Sequence, residues 1–215
     1  MIWSTGSHPS RRPSLRPADG TGPLDRASLA DAFEAACLIR CTRAGSVRQP
    51  TNLLAEFSSA AAAARLAELL TRLGSPPRPE RITAGVRRRY ELHRLHVVEP
   101  GQPTLLASGW QQGRTALLDP SVVGASTPRH ARRQALAAAA WRAALLAAGR
   151  HVRTTILGVR IADTELAAVL VRSAHLLGST ATVARRSGCL LVTVPGGAEK
   201  DRILRHSARP ISLAS

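Results

Sequence analysis

The chain has 215 residues, a formal net charge of +16 and an isoelectric point near 11.7. Its hydrophobic content of 44% allows one good core or two small ones, but aromatic residues make up only 3%, so Leu, Val and Ala must form that core. The excess of basic over acidic residues favours a polyanionic partner, most often nucleic acid. No segment reaches about 18 apolar residues and no apolar run precedes a cleavage site, so we expect neither a membrane span nor a signal peptide.

The chain is predicted to begin with an arm and then a helix and a strand. Residues 1–26 are rich in Pro, Gly, Ser and Arg and have no apolar periodicity, which predicts a disordered arm. In ASLADAFEAACLIRC (27–41), apolar residues recur at helical spacing and predict a helix. In TNLLAEFSS (51–59), apolar and polar residues alternate and predict a strand.

The next segments predict a second helix and a hairpin. SAAAAARLAELLTRLG is expected to form a helix with Ser59 as its N-cap and Gly74 as its stop. SPPRPE (75–80) is interpreted as a breaker. RITAGVRRRYELHRLHVVEP (81–100) predicts a hairpin or two strands. The following GQPTLLASGWQQGRTALLDPSVVGASTP (101–128) is predicted to be a linker with one short helical piece.

The same order of elements then recurs. QALAAAAWRAALLAAG (134–149) predicts a helix, VRTTILGVRI (152–161) a strand, and ADTELAAVLVRSAHLLG a helix from the N-cap Asp163 to Gly178. TATVARRSG and CLLVTVP predict a hairpin, and AEKDRILRHSA (198–208) a closing helix.

The two halves align at an offset of 104 residues, which places Gly45 on Gly149 and Gly74 on Gly178. This register indicates a diverged duplication. We therefore predict an α+β fold of tandem, pseudo-symmetric repeats whose strands form a saddle backed by helices. The expected boundaries are an arm at 1–26, a first repeat at 27–99, a linker at 100–131, a second repeat at 132–206 and a tail at 207–215.

Several of these segments together resemble the WhiA family of sporulation and cell-division regulators. WRAALLAAG (141–149) looks like a degenerate LAGLIDADG helix, and the strand and helix that follow it look like those of the family. RRRYELHRLHVV (87–98) looks like its basic-aromatic strand, and TALLDPSVV (115–123) like the signature between its repeats. The resemblance covers about residues 27–206. It implies two LAGLIDADG-like repeats in a degenerate homing-endonuclease fold and a DNA-associated role in transcription, cell division or sporulation.

WhiA-like proteins continue into a C-terminal helix-turn-helix domain. The present sequence ends at ARPISLAS, so we expect that domain to be lacking. The resemblance also implies a cytoplasmic, nucleoid-associated location.

The resemblance further implies that the nuclease chemistry is absent. A LAGLIDADG nuclease needs one carboxylate from each core helix to hold Mg²⁺ over the scissile phosphates. The corresponding residue is Ala148 in the second helix and either Ala36 or Ala44 in the first, depending on where that helix ends. Alanine cannot hold a hard cation, so we expect no enzymatic activity, no metal and no cofactor.

Histidines and cysteines add little to a catalytic interpretation. His93 and His96 lie on one predicted strand and should point to opposite faces, which argues against a shared metal site. Cys37, Cys41 and Cys189 lack CxxC spacing and are interpreted as buried thiols in a reducing compartment.

Arginine placement suggests where DNA would bind. Between residues 100 and 162 there are eight arginines and one acid, Asp119. Three of them, Arg129, Arg132 and Arg133, precede the second core helix. Arginines that point outward from a two-repeat saddle would follow the duplex backbones and give salt-sensitive binding with little base reading. The predicted DNA-contacting residues are Arg87, Arg88, Arg89, Tyr90 and Arg94 in the first repeat and Arg150, Arg153, Arg160, Arg185 and Arg186 in the second.

Two other functions are kept open. The chain could be a protein-interaction module whose saddle binds a protein partner and no DNA. It could also be an active homing endonuclease, which the alanines disfavour. Salt-dependent DNA binding separates the first alternative from the DNA-associated regulator, and metal-dependent cleavage would support the second.

Overall fold

The computed structural model describes residues 24–42, 52–86, 89–98, 100–119, 127–152 and 155–208. Helices and strands alternate in the order expected for two α+β repeats, so the predicted fold class is confirmed. The elements are α1 (Arg26–Thr42), β1 (Leu53–Phe57), α2 (Ala60–Arg72), β2 (Arg78–Ala84), β3 (Tyr90–His96), α3 (Gln102–Leu118), α4 (Thr127–Ala147), β4 (Gly149–Val152), β5 (Ile156–Ile161), α5 (Thr164–Leu176), β6 (Thr182–Arg186), β7 (Cys189–Pro195) and α6 (Ala198–Ala208).

Two central helices, α1 and α4, pack against each other and carry the core. Every residue of α1 from Ala32 to Ile39 is buried, and so is every residue of α4 from Leu136 to Leu145. A helix that is buried on all sides shows little amphipathicity, and small side chains let its neighbours approach closely. The alanine-rich composition of α4 therefore suits its position between α1 and α5.

The strands form one antiparallel sheet in each repeat. The first sheet has the order β1-β3-β2, and the second has the order β4-β5-β7-β6. Ala55, Phe57 and Leu95 point from the first sheet into the core, as do Leu157 and Val192 from the second. Since side chains alternate across a strand, the remaining positions form a second face on each sheet, which faces away from that core.

We call these two surfaces the first and second open faces. The pairing register assigns Glu56, Arg78, Glu80, Ile82, Ala84, Tyr90, Leu92, Arg94 and His96 to the first open face. It assigns Ile156, Gly158, Arg160, Thr182, Ala184, Arg186, Cys189, Leu191, Thr193 and Pro195 to the second open face.

The duplication is visible in the caps of α2 and α5, which both span 13 residues at the predicted offset. The side chains of Ser59 and Asp163 accept hydrogen bonds from the amides of the third residue beyond each, as N-caps do. Gly74 and Gly178 follow the helix ends with φ of 77° and 73°, a left-handed conformation that favours glycine. Both predicted caps and both glycine stops are confirmed.

The linker prediction is wrong in one respect, because α3 is a helix of 17 residues that packs along α1. Its buried residues include Gly109 and Gly113. A Cβ at Gly109 would lie 2.6 Å from the Cβ of Ala32, and one at Gly113 would lie 2.2 Å from the Phe33 ring. The glycines therefore permit a close helix crossing and do not break the helix.

Three other boundaries differ from the sequence prediction. β2 begins at Arg78, inside the predicted breaker, because Pro79 lies on an edge strand where its missing N–H is tolerated. α4 begins at Thr127, ahead of the predicted start, and β4 was not anticipated. α1 continues past Cys37 to Thr42, so the alternative in which the first core helix ends at Ala36 is wrong.

Two further predictions concern the chain ends and the membrane. The predicted arm lies almost entirely outside the described residues, and α1 begins at Arg26. None of the helices in the described part of the chain is long and apolar enough to cross a membrane.

Asp163 is expected to matter more for stability than its counterpart Ser59, because it combines two roles. It caps α5 and also accepts a hydrogen bond from Arg40 of α1 in a partly buried ion pair. We expect Asp163→Ala to lower the free energy of unfolding by about 2 kcal/mol or more, and Ser59→Ala by about 1 kcal/mol. Urea unfolding measures both. Asp163→Asn should retain the cap and recover part of the loss; no recovery would contradict the capping role.

Candidate nucleic-acid interface

The first open face carries two arginines and two acids. The guanidinium of Arg94 donates from Nε to Glu56 Oε2 at 2.7 Å, across the β1–β3 pair. His96 Nε2 lies 2.8 Å from Glu80 Oε2. Tyr90 is 53% exposed, and Arg78 is exposed with no ion pair to any described residue. The arginine of the central strand is therefore already neutralised by a carboxylate on the same face.

The second open face carries arginines and lacks acids over its described positions. Arg160 of β5 and Arg186 of β6 are exposed, and neither forms an ion pair with another described residue. The hydroxyls of Thr182 and Thr193 are 2.9 Å apart on the same face. Cationic and hydroxyl groups presented by a sheet are the groups that contact phosphate oxygens in protein–DNA complexes.

The structure brings together only part of the predicted set. Arg94 and Tyr90 share the first open face, and Arg160 and Arg186 share the second. Arg89 is exposed just before β3. Arg185 lies on the helix side of β6. Arg150 pairs in register with Val159 of β5, and its side chain is not described. The remaining predicted residues, Arg87, Arg88 and Arg153, lie outside the described residues.

Sequence reasoning missed one basic residue, Arg78, which shares the first open face with Arg94. It lies in the segment that we interpreted as a breaker. The alternation of Arg78, Glu80, Ile82 and Ala84 on one face was the signal that could have found it.

The arginines that were predicted to precede the second core helix lie within the first two turns of α4, away from both open faces. Arg129 and Arg132 line a groove of about 510 Å³ between α3 and α4, next to Gln111 and Thr115. Arg133 is buried and donates a hydrogen bond to the carbonyl oxygen of Leu117 at 3.1 Å. This last arginine joins the two helices and is not presented to a ligand.

The carboxylate nearest to the centre of the core, Glu34 of α1, is held by two arginines. Arg142 of α4 contacts its two oxygens at 2.9 and 2.6 Å, and Arg65 of α2 contacts them at 2.7 and 3.1 Å. Burial by itself raises the pKa of Glu34, but the hydrogen bonds and charges of Arg142 and Arg65 outweigh it and hold the pKa below its usual value. Glu34 is therefore a structural anion, with both oxygens engaged.

Ala148, which the sequence resemblance aligns with a LAGLIDADG acid, follows α4 directly. It is buried, and its amide donates to the carbonyl oxygen of Ala144 at 3.0 Å. The matching residue at the predicted offset, Ala44, lies outside the described residues. Among the residues that the structure describes, no group of three or more His, Cys, Asp or Glu side chains is placed to hold a metal ion.

The cysteines and histidines that the structure describes do not form a cluster able to hold a metal ion. Burial raises the pKa of Cys37 well above its usual value and raises the pKa of Cys41 to about 12, so both remain neutral thiols near pH 7. Cys189 lies on the second open face and is half-buried. His93 pairs in register with Phe57 on the core side, and His96 lies on the open face, so the predicted opposite orientation is confirmed.

Comparisons with known proteins bear on the fold. No protein-family model matches the chain, and no curated protein matches it. Full-length DUF199/WhiA from Thermatoga maritima superposes with a TM-score of 0.56 at 14% sequence identity, over 89% of this chain and 59% of that one. The N-terminal LAGLIDADG domain of DUF199/WhiA gives a TM-score of 0.54 at 12% identity, over 93% of this chain and 94% of that domain. The fold is that of a LAGLIDADG domain.

A homing endonuclease shares this LAGLIDADG fold. A structure of mesophilic variants of I-DmoI gives a TM-score of 0.51 at 12% identity, over 86% of this chain and 99% of that one. The predicted resemblance to WhiA is thus confirmed for the fold. The chain spans 59% of the length of the full-length WhiA structure.

Proposed function

We propose that the chain is a non-catalytic, DNA-associated regulator of the WhiA type that acts in the control of transcription, cell division or sporulation. The observation that carries this proposal is an open face with Arg160 and Arg186 and no acid at its described positions, on a LAGLIDADG fold whose second core helix is followed directly by Ala148. The likeness to the WhiA structures and the net charge of +16 support it.

Binding would depend on the phosphate backbone. Arg160 and Arg186 lie on two different strands of one sheet, with β7 between them, so they can reach separate phosphates along a duplex. The hydroxyls of Thr182 and Thr193 share one hydrogen bond, which leaves one hydroxyl hydrogen to donate to a phosphate oxygen on the same face. Contacts of this kind set affinity and register without reading base edges, so we expect little sequence preference from the described residues.

The absence of cleavage is the second part of the proposal. Two-metal and one-metal phosphodiester hydrolysis both need carboxylates that hold Mg²⁺ against the scissile phosphate. Alanine supplies no ligand for a hard cation, and Ala148 stands at the end of the core helix where the LAGLIDADG motif has an acid. The chain would therefore use the fold as a binding scaffold.

The first prediction is salt-dependent binding without cleavage. The purified chain should bind a random-sequence duplex, and log Kd should rise with log salt by about 0.9 for each phosphate neutralised, so by at least about 2 if Arg160 and Arg186 both reach phosphate. Fluorescence anisotropy across a salt series measures the slope. The same samples, incubated with Mg²⁺ and run on a denaturing gel, should show intact DNA.

Each other outcome would support a different function. Metal-dependent cleavage would contradict the non-catalytic role and favour an active homing endonuclease. No binding even at low salt would show that the net positive charge does not serve DNA binding, and it would favour a protein-interaction module. Salt-independent binding would contradict the role of the arginines.

A further inference from the structure

The two open faces differ in how their charges are compensated. On the first, Arg94 and Glu56 form an ion pair in which their side chains are 29% and 33% exposed, and the second arginine, Arg78, shares the face with a second acid, Glu80. On the second, the described positions include Arg160 and Arg186 and no acid. The equivalent open faces of the two repeats therefore differ in their balance of arginines and acids.

We infer that DNA engages this chain asymmetrically, on the second repeat's open face, while the described part of the first open face contributes little to phosphate binding. This inference rests on the proposed function and states which part of the fold performs it. The ligand is the sugar-phosphate backbone of a duplex, and the contacts are those of Arg160 and Arg186.

Binding of a phosphate by Arg94 on the first open face is unfavourable because Glu56 lies beside it. Arg94 can neutralise a phosphate only if it gives up its 2.7 Å hydrogen bond to Glu56 or shares the guanidinium between the two anions. Either arrangement brings a phosphate close to the carboxylate of Glu56, and like charges at that range repel each other. The pair is already satisfied without DNA, so the gain from replacing one anion by another is small.

The second open face carries no such penalty over its described positions. No acid among the described residues pairs with Arg160 or Arg186, so solvent counterions balance these charges and are released when phosphates replace them. Ala184, which lies on the same face, is small and exposed and leaves room for a backbone to approach.

Charge-neutralising variants test this difference between the repeats. Arg160→Gln and Arg186→Gln should each weaken duplex binding and lower the salt slope by about 1, while Arg94→Gln should leave the slope unchanged. Glu56→Gln should release Arg94, tighten binding and raise the slope by about 1. The reverse pattern, with Arg94→Gln weakening binding and Arg160→Gln leaving it unchanged, would overturn the inference. Equal losses for the two would also overturn it.

A thiol footprint locates the DNA independently of charge. Cys189 is half-buried on the second open face, whereas Cys37 and Cys41 have raised pKa values and should react slowly. Saturating duplex should slow the alkylation of Cys189 by iodoacetamide. In a Cys189→Ser background, a cysteine introduced by Ile82→Cys, at a half-buried position of the first open face, should show no such protection. The Cys189→Ser chain alone gives the background rate.

The possible failures can be told apart. If no duplex binds at low salt, the proposed function fails and the inference falls with it. If the duplex binds with a steep salt slope but protects the cysteine at position 82 as strongly as Cys189, DNA binding stands and the asymmetry is wrong. Protection of Cys189 alone, together with the predicted effects of the charge variants, supports both.

Discussion

Replacing Glu34 with glutamine is expected to lower the free energy of unfolding by about 3–5 kcal/mol, one of the two largest effects that we predict. Glu34 is only 1% exposed and joins three helices, because Arg142 of α4 and Arg65 of α2 both bind its carboxylate. The amide nearly preserves the volume of the side chain, so a cavity cannot explain the loss. The expected loss of stability comes from leaving the buried guanidinium of Arg142 without its counter-charge.

A matched control separates burial from ion pairing as such. Glu68→Gln removes a carboxylate that is 53% exposed and contacts the same Arg65 at 2.9 Å. An exposed pair of this kind contributes about 1 kcal/mol or less, so Glu68→Gln should change stability little. Chemical denaturation of both variants makes the comparison. Equal losses from the two substitutions would contradict the structural role of the buried cluster.

A charge-free double variant tests the cause of the loss. Glu34→Met combined with Arg142→Leu removes the buried anion and its most buried partner, and Arg65 retains Glu68 as a partner. Apolar replacement of a buried ion pair is often neutral or stabilising, so the double variant should recover much of the loss seen in Glu34→Gln. A double variant that is less stable than Glu34→Gln would show that the cluster itself is strongly stabilising.

The contribution of Glu34 should also depend on pH in one direction. Its folded pKa is lowered from an ordinary value of 4.5, because Arg142 and Arg65 more than offset burial. The ionised carboxylate therefore contributes fully above about pH 4.5, and this contribution is lost as the pH falls through the lower folded pKa. The stability difference between the unaltered chain and Glu34→Gln should be constant near neutral pH and should narrow below pH 4.5.

Gly113→Ala is expected to destabilise the protein by about 1–3 kcal/mol, even though alanine is the better helix former by about 1 kcal/mol. The new Cβ would lie 2.2 Å from Cδ2 of Phe33 and 2.5 Å from its Cγ. Phe33 is fully buried and stacks on Trp110, with ring centroids 5.8 Å apart, so its ring has no free space to move into. Either α3 separates from α1 or the aromatic stack is disturbed.

The controls for Gly113 lie in the same region. Gly101→Ala places a Cβ with nothing within 4 Å, at the N-cap of α3, and should cost less than about 1 kcal/mol. Combining Gly113→Ala with Phe33→Leu should cost less than the sum of the single changes, because the smaller side chain relieves the clash. Thermal unfolding reports all four variants. A Gly113→Ala protein as stable as the unaltered chain would show that α1 and α3 do not cross closely.

Local patterns determined much of this fold in advance. Helical and alternating apolar spacing predicted α1, α2, α5, α6, β1 and the hairpin of β6 and β7. The residues Ser59, Asp163, Gly74 and Gly178 also marked the ends of α2 and α5, because N-capping and a positive φ depend on the residue and its immediate neighbours. The offset of 104 residues predicted the duplication, since repeated local signals survive divergence of the side chains between them.

Local patterns failed where a residue's role depends on a distant neighbour. Gly109 and Gly113 look like breakers until α1 is placed against them, and Pro79 looks like a breaker until β2 is known to be an edge strand. Arg185 and Arg186 formed one predicted basic site, yet consecutive residues of a strand point to opposite faces. That separation could have been predicted from the hairpin alone.

By itself, the sequence determined a basic α+β protein built of two similar halves, and it predicted alanine where a LAGLIDADG nuclease has an acid. Tertiary structure decided which charges remain available to a ligand. Glu56 and Arg94 are 38 residues apart, and Glu34 and Arg142 are 108 apart, so neither pair leaves a periodic signal in the sequence. Their meeting depends on strand register and helix packing, which are set by burial of the whole core. For that reason the net charge pointed to a polyanion, but only the fold could distinguish the neutralised first open face from the acid-free described part of the second.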